Sequence, residues 1–224
     1  MFFVYIVRGI HMENRKVKNR KTDSIVVYFD IFAFSSLMEI RGEKAMRFLE
    51  TVPDWINRNL KVDYKYLFSD CGFLIYEIKE DNRNEKLKKC HDDVELLATE
   101  YLNNDFFLRG SITYGEVQLG SYYLIGEPVF KAVELESNYC PGPFIIFPYD
   151  QYKKGNFNEV SLEFKEIYTK GEKGVMRACL IYPLDKQKYR NKICEYFYEF
   201  TKRGKYEYAK VWYKSLKIVK SLLK

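Results

Sequence analysis

The sequence predicts an α+β fold of the split-βαβ, ferredoxin-like kind, in which helices pack on a mostly antiparallel sheet. Three observations support this class. Residues 24–29 form a continuous apolar and β-branched run, which is typical of a strand buried on both faces. Residues 63–68 and 72–78 are two short apolar runs joined by turn residues, which indicates a β-hairpin. Helical periodicity separates the first strand from this hairpin.

The elements follow one another in an order that suits this fold. The strand at 24–29 ends at Asp30, and from Ser35 or Ser36 onward apolar residues recur at helical intervals. After the hairpin, the pattern predicts a helix over 84–101, a strand over 106–120, a helix over 128–138, strands over 144–147, 160–168 and 174–182, and two amphipathic helices near the end.

Charge is distributed unevenly and divides the chain into three parts. We expect a flexible basic leader over 1–23, a single domain over 24–185 and a basic C-terminal helical extension over 186–224. The net charge of +6 comprises +4 from residues 1–23 and +7 from residues 202–224, which leaves −5 for the middle. An acidic middle is a poor groove for a polyanion, so we expect no nucleic acid partner, whereas carboxylates suit divalent cations.

Composition narrows the class of protein. With 47% hydrophobic and 17% aromatic residues, the chain can build one sizeable core, which excludes a disordered protein. The five cysteines are widely spaced and form no C-x-x-C pair, which indicates a reduced, cytoplasmic protein and argues against a zinc site. Because no apolar run reaches about eighteen residues, we expect no membrane span.

Two aspartates are the first candidates for chemistry. Asp30 follows the buried strand, and Asp70 lies at the tip of the hairpin that would pair beside that strand. Carboxylates from adjacent strands can converge, and hard oxygen ligands suit Mg²⁺ or Mn²⁺, which bind nucleoside triphosphates through their phosphates. Taken separately, each residue has a simpler interpretation, because Asp30 could neighbour a helix N-cap and Asp70 could be an ordinary turn residue.

The residues around these aspartates resemble the catalytic domain of class III nucleotidyl cyclases. Residues 28–35, Tyr-Phe-Asp-Ile-Phe-Ala-Phe-Ser, resemble its F-x-D-I-x-G-F-T segment. Residues 69–73, Ser-Asp-Cys-Gly-Phe, resemble its G-D hairpin, and residues 108–117 are similar to its R-x-G-I-x-x-G-x-V strand. The three matches occur in the family's order, and the resemblance covers roughly residues 24–182.

The resemblance implies a metal-dependent site shared between two subunits. Asp30 and Asp70, with the backbone of Ile31, would hold two ions, Mn²⁺ or Mg²⁺. The backbone after the first aspartate would cradle the substrate phosphates, which implicates Phe32, Ala33 and Phe34. The family arrangement also implies a head-to-tail homodimer with two composite sites.

One segment departs from the adenylyl and guanylyl members. They carry G-x-x-V-N-x-A-x-R, but residues 126–134 place Phe130 at the Asn position and Glu134 at the Arg position. An inactive relative is one interpretation. However, residues 132–136 and 108–110 resemble the bacterial pyrimidine cyclases of Pycsar anti-phage systems. This resemblance implies conversion of UTP to 3′,5′-cyclic UMP, with CTP as the second choice of substrate, and a downstream effector protein that senses the product.

Five further residues are candidates for substrate contacts. Tyr66 stands four residues before the hairpin aspartate, where purine cyclases carry Lys or Glu, and Tyr123 falls at the other base-reading position. A phenol there favours a smaller base and offers a hydrogen-bond donor to uracil O4. For pyrophosphate, Lys170 is the first catalytic choice, followed by Arg109 and Lys131. The simpler interpretations are a half-buried strand tyrosine and solvated charges.

Other functions remain open at this point. An RNA-binding module would suit an aromatic-rich sheet, but no K/R-G-F-G-F-V-x-F segment is present. A diguanylate cyclase shares the palm-like fold but requires Gly-Gly-Asp-Glu-Phe, which is absent. A cytidylate, adenylate or guanylate cyclase is a closer alternative. The basic terminal helix could dock on a membrane surface or a partner, or pack on its own domain or a dimer mate.

Overall fold

The computed structural model describes residues 19–79, 81–168 and 174–222. Its strands are β1 (Arg20–Ile31), β2 (Tyr64–Phe68), β3 (Cys71–Glu77), β4 (Leu108–Gly120), β5 (Tyr123–Ile125), β6 (Ile145–Pro148), β7 (Phe164–Tyr168) and β8 (Val175–Ile181). Its helices are α1 (Phe34–Asn59), α2 (Arg83–Asn103), α3 (Glu127–Tyr139), α4 (Tyr149–Lys154), α5 (Lys186–Lys202) and α6 (Tyr206–Leu222).

The strands form one sheet in the order β2-β3-β1-β4-β6-β8-β7, and β5 pairs with β4. All pairs are antiparallel except β4 with β6. Strand β1 lies inside the sheet, and Ile25, Val26 and Val27 are fully buried, which explains its continuous apolar run. A mainly antiparallel sheet with helices packed on it confirms the predicted α+β fold class.

The first strand begins earlier than the apolar run indicates. Residues 20–23, which the charge pattern assigns to the leader, pair with residues 116–119 of β4. The side chain of Arg20 also forms an ion pair with Glu77. Polar residues can continue a strand at its solvent-exposed end, so the pairing of β1 begins before the first residue of the apolar run. Strand β5 and helix α4 are additions to the predicted elements, and β7 begins at Phe164 rather than at residue 160.

The two C-terminal helices pack against the sheet and share its core. Trp212 of α6 is fully buried, and its ring centroid lies 5.2 Å from that of Phe32, 5.2 Å from that of Phe107 and 4.8 Å from that of Tyr196. Phe32 belongs to the segment that follows β1, so α6 supports the end of the central strand directly. Among the helices that the structure describes, none is long and apolar enough to cross a membrane.

Candidate active site

A cleft of about 500 Å³ opens at the carboxyl end of β1. Its lining brings together most of the residues that the sequence singles out. These are Asp30, Ile31, Phe32, Ala33, Phe34, Asp70 and Arg109. Ser35, Ser36, Cys140 and Pro141 complete one side, and Tyr208, Val211 and Lys214 of α6 form the other.

Sheet pairing explains why the two aspartates converge. Asp30 lies opposite Cys71 in the β1–β3 register, and Phe68 pairs with Cys71 across the hairpin, so Ser69 and Asp70 form a two-residue turn. Ser69 has a positive φ of 45°, as tight hairpin turns require. The N–H of Ile31 donates to the carbonyl oxygen of Asp70 at 3.0 Å, which fixes the turn beside the end of β1.

The segment after Asp30 turns sharply into α1. Ala33 has φ 58° and ψ 33°, a left-handed conformation, and its carbonyl oxygen accepts from the N–H groups of Ser36 and Leu37. The first N–H groups of a helix have no partner within the helix, and together with the helix dipole they attract anions. The N–H of Phe32 already donates to the Phe107 carbonyl oxygen at 2.8 Å, so the expectation that this backbone holds phosphate rests on Ala33 and Phe34. The resembling family has glycine at this position, and alanine there carries strain.

A buried ionic cluster lies beneath the two aspartates. The Arg109 Nη2 donates to Asp30 Oδ2 at 3.1 Å, and its Nε forms an ion pair with Glu136 of α3. The Glu136 side chain is only 3% exposed. The guanidinium also lies over the Phe32 ring, 5.7 Å from its centroid. Burial opposes the charge of Arg109, but the carboxylates of Asp30 and Glu136 outweigh it, so its pKa lies above the ordinary value.

The cluster leaves Asp30 short of positive charge. Burial raises the pKa of its carboxyl to about 7; Arg109 opposes this rise, whereas Glu136 and Asp70 add to it. One oxygen, Oδ1, is buried and has no hydrogen-bond partner within the described chain. An orphaned carboxylate oxygen beside a second carboxylate is a donor set that fits a hard divalent cation. Within the described ranges, no group of three or more His, Cys, Asp or Glu residues could hold a metal, so further ligands would come from backbone, water or substrate.

Glu136 is the site residue that the sequence analysis missed. The motif at 132–136 includes it, but only for its resemblance to a family. A signal was available, because Val129, Ala132 and Leu135 define the buried face of α3 and Glu136 adjoins that face. An acidic side chain on an apolar helix face predicts a buried cationic partner.

The two tyrosines proposed to contact the base come together elsewhere. Tyr66 is 1% exposed, and its hydroxyl donates to the Gly120 carbonyl oxygen at 2.9 Å. Burial raises its pKa to about 12. The Tyr123 ring lies so close to Gly120 that an added Cβ would be 2.3 Å from it. Neither tyrosine lines the cleft of Asp30, and the Tyr66 proton is already engaged, so its role toward uracil O4 stays a prediction.

Lys131, one of the two candidate lysines, does not join the aspartates. Lys131 forms an ion pair with Glu134 on α3, with Nζ and Oε2 3.1 Å apart, and it does not line the cleft. Lys170 lies outside the described residues. A larger cleft of about 680 Å³, between α2 and the β7–β8 edge, is lined by none of the predicted site residues that the structure describes.

Comparison with known proteins finds similarity in the fold. No family model matches the sequence, and no curated protein matches it. The solved structure of the guanylyl cyclase Cya2 aligns with a TM-score of 0.51 and 16% identity, covering 73% of this chain and 93% of that one. The catalytic core of a rhodopsin-guanylyl cyclase with converted specificity, in complex with ATPαS, aligns with a TM-score of 0.52 and 19% identity, covering 73% and 98%. The fold is therefore that of class III nucleotidyl cyclase catalytic domains.

The buried Arg109–Glu136 ion pair should affect the free energy of unfolding far more than the exposed Lys131–Glu134 pair. Changing Arg109 to Ala leaves Glu136 buried without a counterion, so we expect a loss of about 3–5 kcal/mol in the free energy of unfolding. Lys131→Ala is the control, because its surface pair with Glu134 is worth about 0–1 kcal/mol. Urea denaturation of both variants measures the difference, and equal losses would contradict the buried cluster.

The raised pKa of Asp30 predicts a pH dependence in the metal-free protein. A carboxyl whose pKa is about 7 when folded and near 3.8 when unfolded binds its proton more strongly in the folded state. The free energy of unfolding should therefore fall as the pH rises from about 4 to 7, by up to about 1.4 kcal/mol per pH unit from this group. Asp30→Asn, measured with chelator present, should have a shallower slope. An unchanged slope would contradict the shift.

Proposed function

We propose that this protein is a pyrimidine nucleotide cyclase that converts UTP to 3′,5′-cyclic UMP and pyrophosphate, with CTP as the second-choice substrate. The observation that carries the proposal is the convergence of Asp30 and Asp70 on a cleft whose floor is the start of α1. In a cyclase fold, this combination offers carboxylates for cations next to backbone N–H groups for phosphate.

The chain's own residues have distinct roles in this reaction. Asp30 and Asp70, with the Ile31 backbone carbonyl, would hold Mn²⁺ or Mg²⁺, which when bound neutralises phosphate charge and increases the acidity of the ribose 3′-hydroxyl. The backbone N–H groups of Ala33 and Phe34 bind the phosphates, because the N–H of Phe32 donates to the Phe107 carbonyl oxygen. The ribose 3′-hydroxyl loses its proton to solvent water and its oxygen forms a bond to the α-phosphorus. The bond from that phosphorus to the bridging oxygen breaks, and pyrophosphate leaves with the electron pair. Arg109 acts as a positioning residue because it fixes the Asp30 carboxylate.

The preference for a pyrimidine rests on the tyrosines and on the resemblance of residues 132–136 to the Pycsar cyclases. Tyr66 stands where purine cyclases carry a charged base reader, and it packs beside Tyr123 around Gly120. The Tyr66 hydroxyl holds the Gly120 backbone in place, and this arrangement positions the Tyr123 ring. By the same resemblance, the product would act in anti-phage defence through an effector that senses it.

We infer, as part of this proposal, that two copies form a homodimer. Tyr123 does not line the cleft of its own chain, so a second copy would be needed to bring it to the substrate. Phe130 and Val133 of α3 are 37% and 36% exposed, and Tyr122 beside β5 is 69% exposed. Exposed apolar side chains near both the tyrosines and α3 suit a face that a second copy covers.

Incubation of the full chain with each of the four ribonucleoside triphosphates and Mn²⁺ tests the proposal. We expect cyclic UMP as the main product by mass spectrometry and some cyclic CMP. Asp70→Asn should lower turnover by several orders of magnitude with little loss of stability, because it removes a charge at constant size. Asp63→Asn is the control, since Asp63 lies outside the cleft. Preference for ATP or GTP would refute the pyrimidine assignment, and normal turnover by Asp70→Asn would refute the metal assignment.

Removing one hydroxyl tests the role of Tyr66. Tyr66→Phe deletes the bond to Gly120, so we expect the ratio of UTP to CTP turnover to change by up to about fivefold, the equivalent of about 1 kcal/mol for a buried hydrogen bond. Tyr64→Phe, on the same strand but with its hydroxyl at Arg20, should leave the ratio unchanged. Competition assays with both nucleotides give the ratio directly. Identical ratios in the two variants would remove Tyr66 from base selection.

A further inference from the structure

One wall of the candidate active site comes from the C-terminal helix. Tyr208, Val211 and Lys214 of α6 line the same cleft as Asp30 and Asp70. Their spacing of three residues places them along one side of the helix. This side faces the phosphate-binding turn rather than open solvent alone.

Contacts in the first half of α6 fix this helix against α1 and the turn after β1. Near its start, the Tyr208 hydroxyl donates to Glu39 of α1 at 2.9 Å, and the Nζ of Lys205 lies 2.7 Å from the other Glu39 oxygen. One turn further, Trp212 is fully buried against Phe32. Lys214 is therefore carried on a helix fixed to the two elements that flank the cleft.

The charges of the cleft single out Lys214. Among the described residues that line it, Arg109 and Lys214 are the two cations. Arg109 is engaged by Asp30 and by the buried Glu136. Lys214 is exposed, and its side chain forms no hydrogen bond or ion pair in the part of the chain that the structure describes. A triphosphate needs positive charge in a cleft that already contains two aspartates, and Lys214 can provide it.

We propose that α6 is part of the nucleotide site and that Lys214 binds the polyphosphate of the substrate and of the leaving pyrophosphate. The assignment rests on the proposed function, and it adds a substrate-binding residue from outside the segment that resembles the cyclases. Lys170, which the sequence favoured for this task, lies outside the described residues, and its role stays a prediction.

Two measurements on the full chain test this role. Isothermal titration with inorganic tripolyphosphate in Mg²⁺ measures phosphate affinity without turnover. Steady-state kinetics with UTP and Mn²⁺ separates KM from kcat. We expect Lys214→Ala to weaken tripolyphosphate binding and to raise KM, each by about tenfold or more, as for a lost charge-assisted hydrogen bond. Lys214→Arg should recover most of both.

Lys217→Ala is the matched control, because Lys217 is an exposed lysine of the same helix that lies 4.6 Å from the Tyr213 ring centroid and does not line the cleft. It should change both values by less than about twofold. Unfolding midpoints of all variants should stay near that of the unchanged chain, because both lysines are exposed.

The outcomes separate this proposal from the cyclase activity. If the chain cyclises UTP and Lys214→Ala behaves like Lys217→Ala, the role of Lys214 is wrong and the cyclase function stands. If no nucleotide is cyclised but tripolyphosphate binding depends on Lys214, the phosphate site stands and the cyclase function fails. If the unchanged chain binds no tripolyphosphate, the role of Lys214 is refuted.

Discussion

The register of β1 is the constraint on which the site depends. This strand pairs on both sides, so Asp30 lies opposite Cys71 of one neighbour and Arg109 of the other. A slip of one residue would turn every side chain to the opposite face. Both faces of β1 are apolar, with Val26 in one cluster and Ile25 in another, so hydrophobicity alone does not select the register. The hydrogen bond from the Ile31 N–H to the Asp70 carbonyl oxygen and the Asp30–Arg109 contact favour the observed register.

Burial strengthens the interactions among the charges of Asp30, Arg109 and Glu136. Two carboxylates share one guanidinium, and an ionic group placed in a core stabilises the protein less than apolar packing does. The arrangement therefore costs stability and leaves an excess of negative charge in the cleft. That excess favours the binding of cations, and bound cations in turn favour the binding of a polyphosphate.

Local patterns in the sequence predict most of the elements but only part of the site. The buried strand, the hairpin and the long helices have clear periodicity. The convergence of Asp30 and Asp70 could be predicted because their strand and turn positions are evident from neighbouring residues. The first residues of β1 could not be recognised, because they are polar and are held by β4, which lies far along the chain. The α6 wall of the cleft depends on contacts between distant segments, whereas the position of Glu136 beside the apolar face of α3 was a local signal. The Gly120 partner of Tyr66 also depends on three-dimensional packing, which no spacing rule supplies.

The contact between Trp212 and Phe32 has a consequence for protein synthesis. Phe32 is synthesised 180 residues before Trp212, whose ring packs against it. Until then, the turn after β1 lacks one side of its support and the cleft lacks one wall. A prematurely terminated chain would consequently be unable to complete the site. The order of synthesis thus makes assembly of the cleft conditional on translation having proceeded into α6.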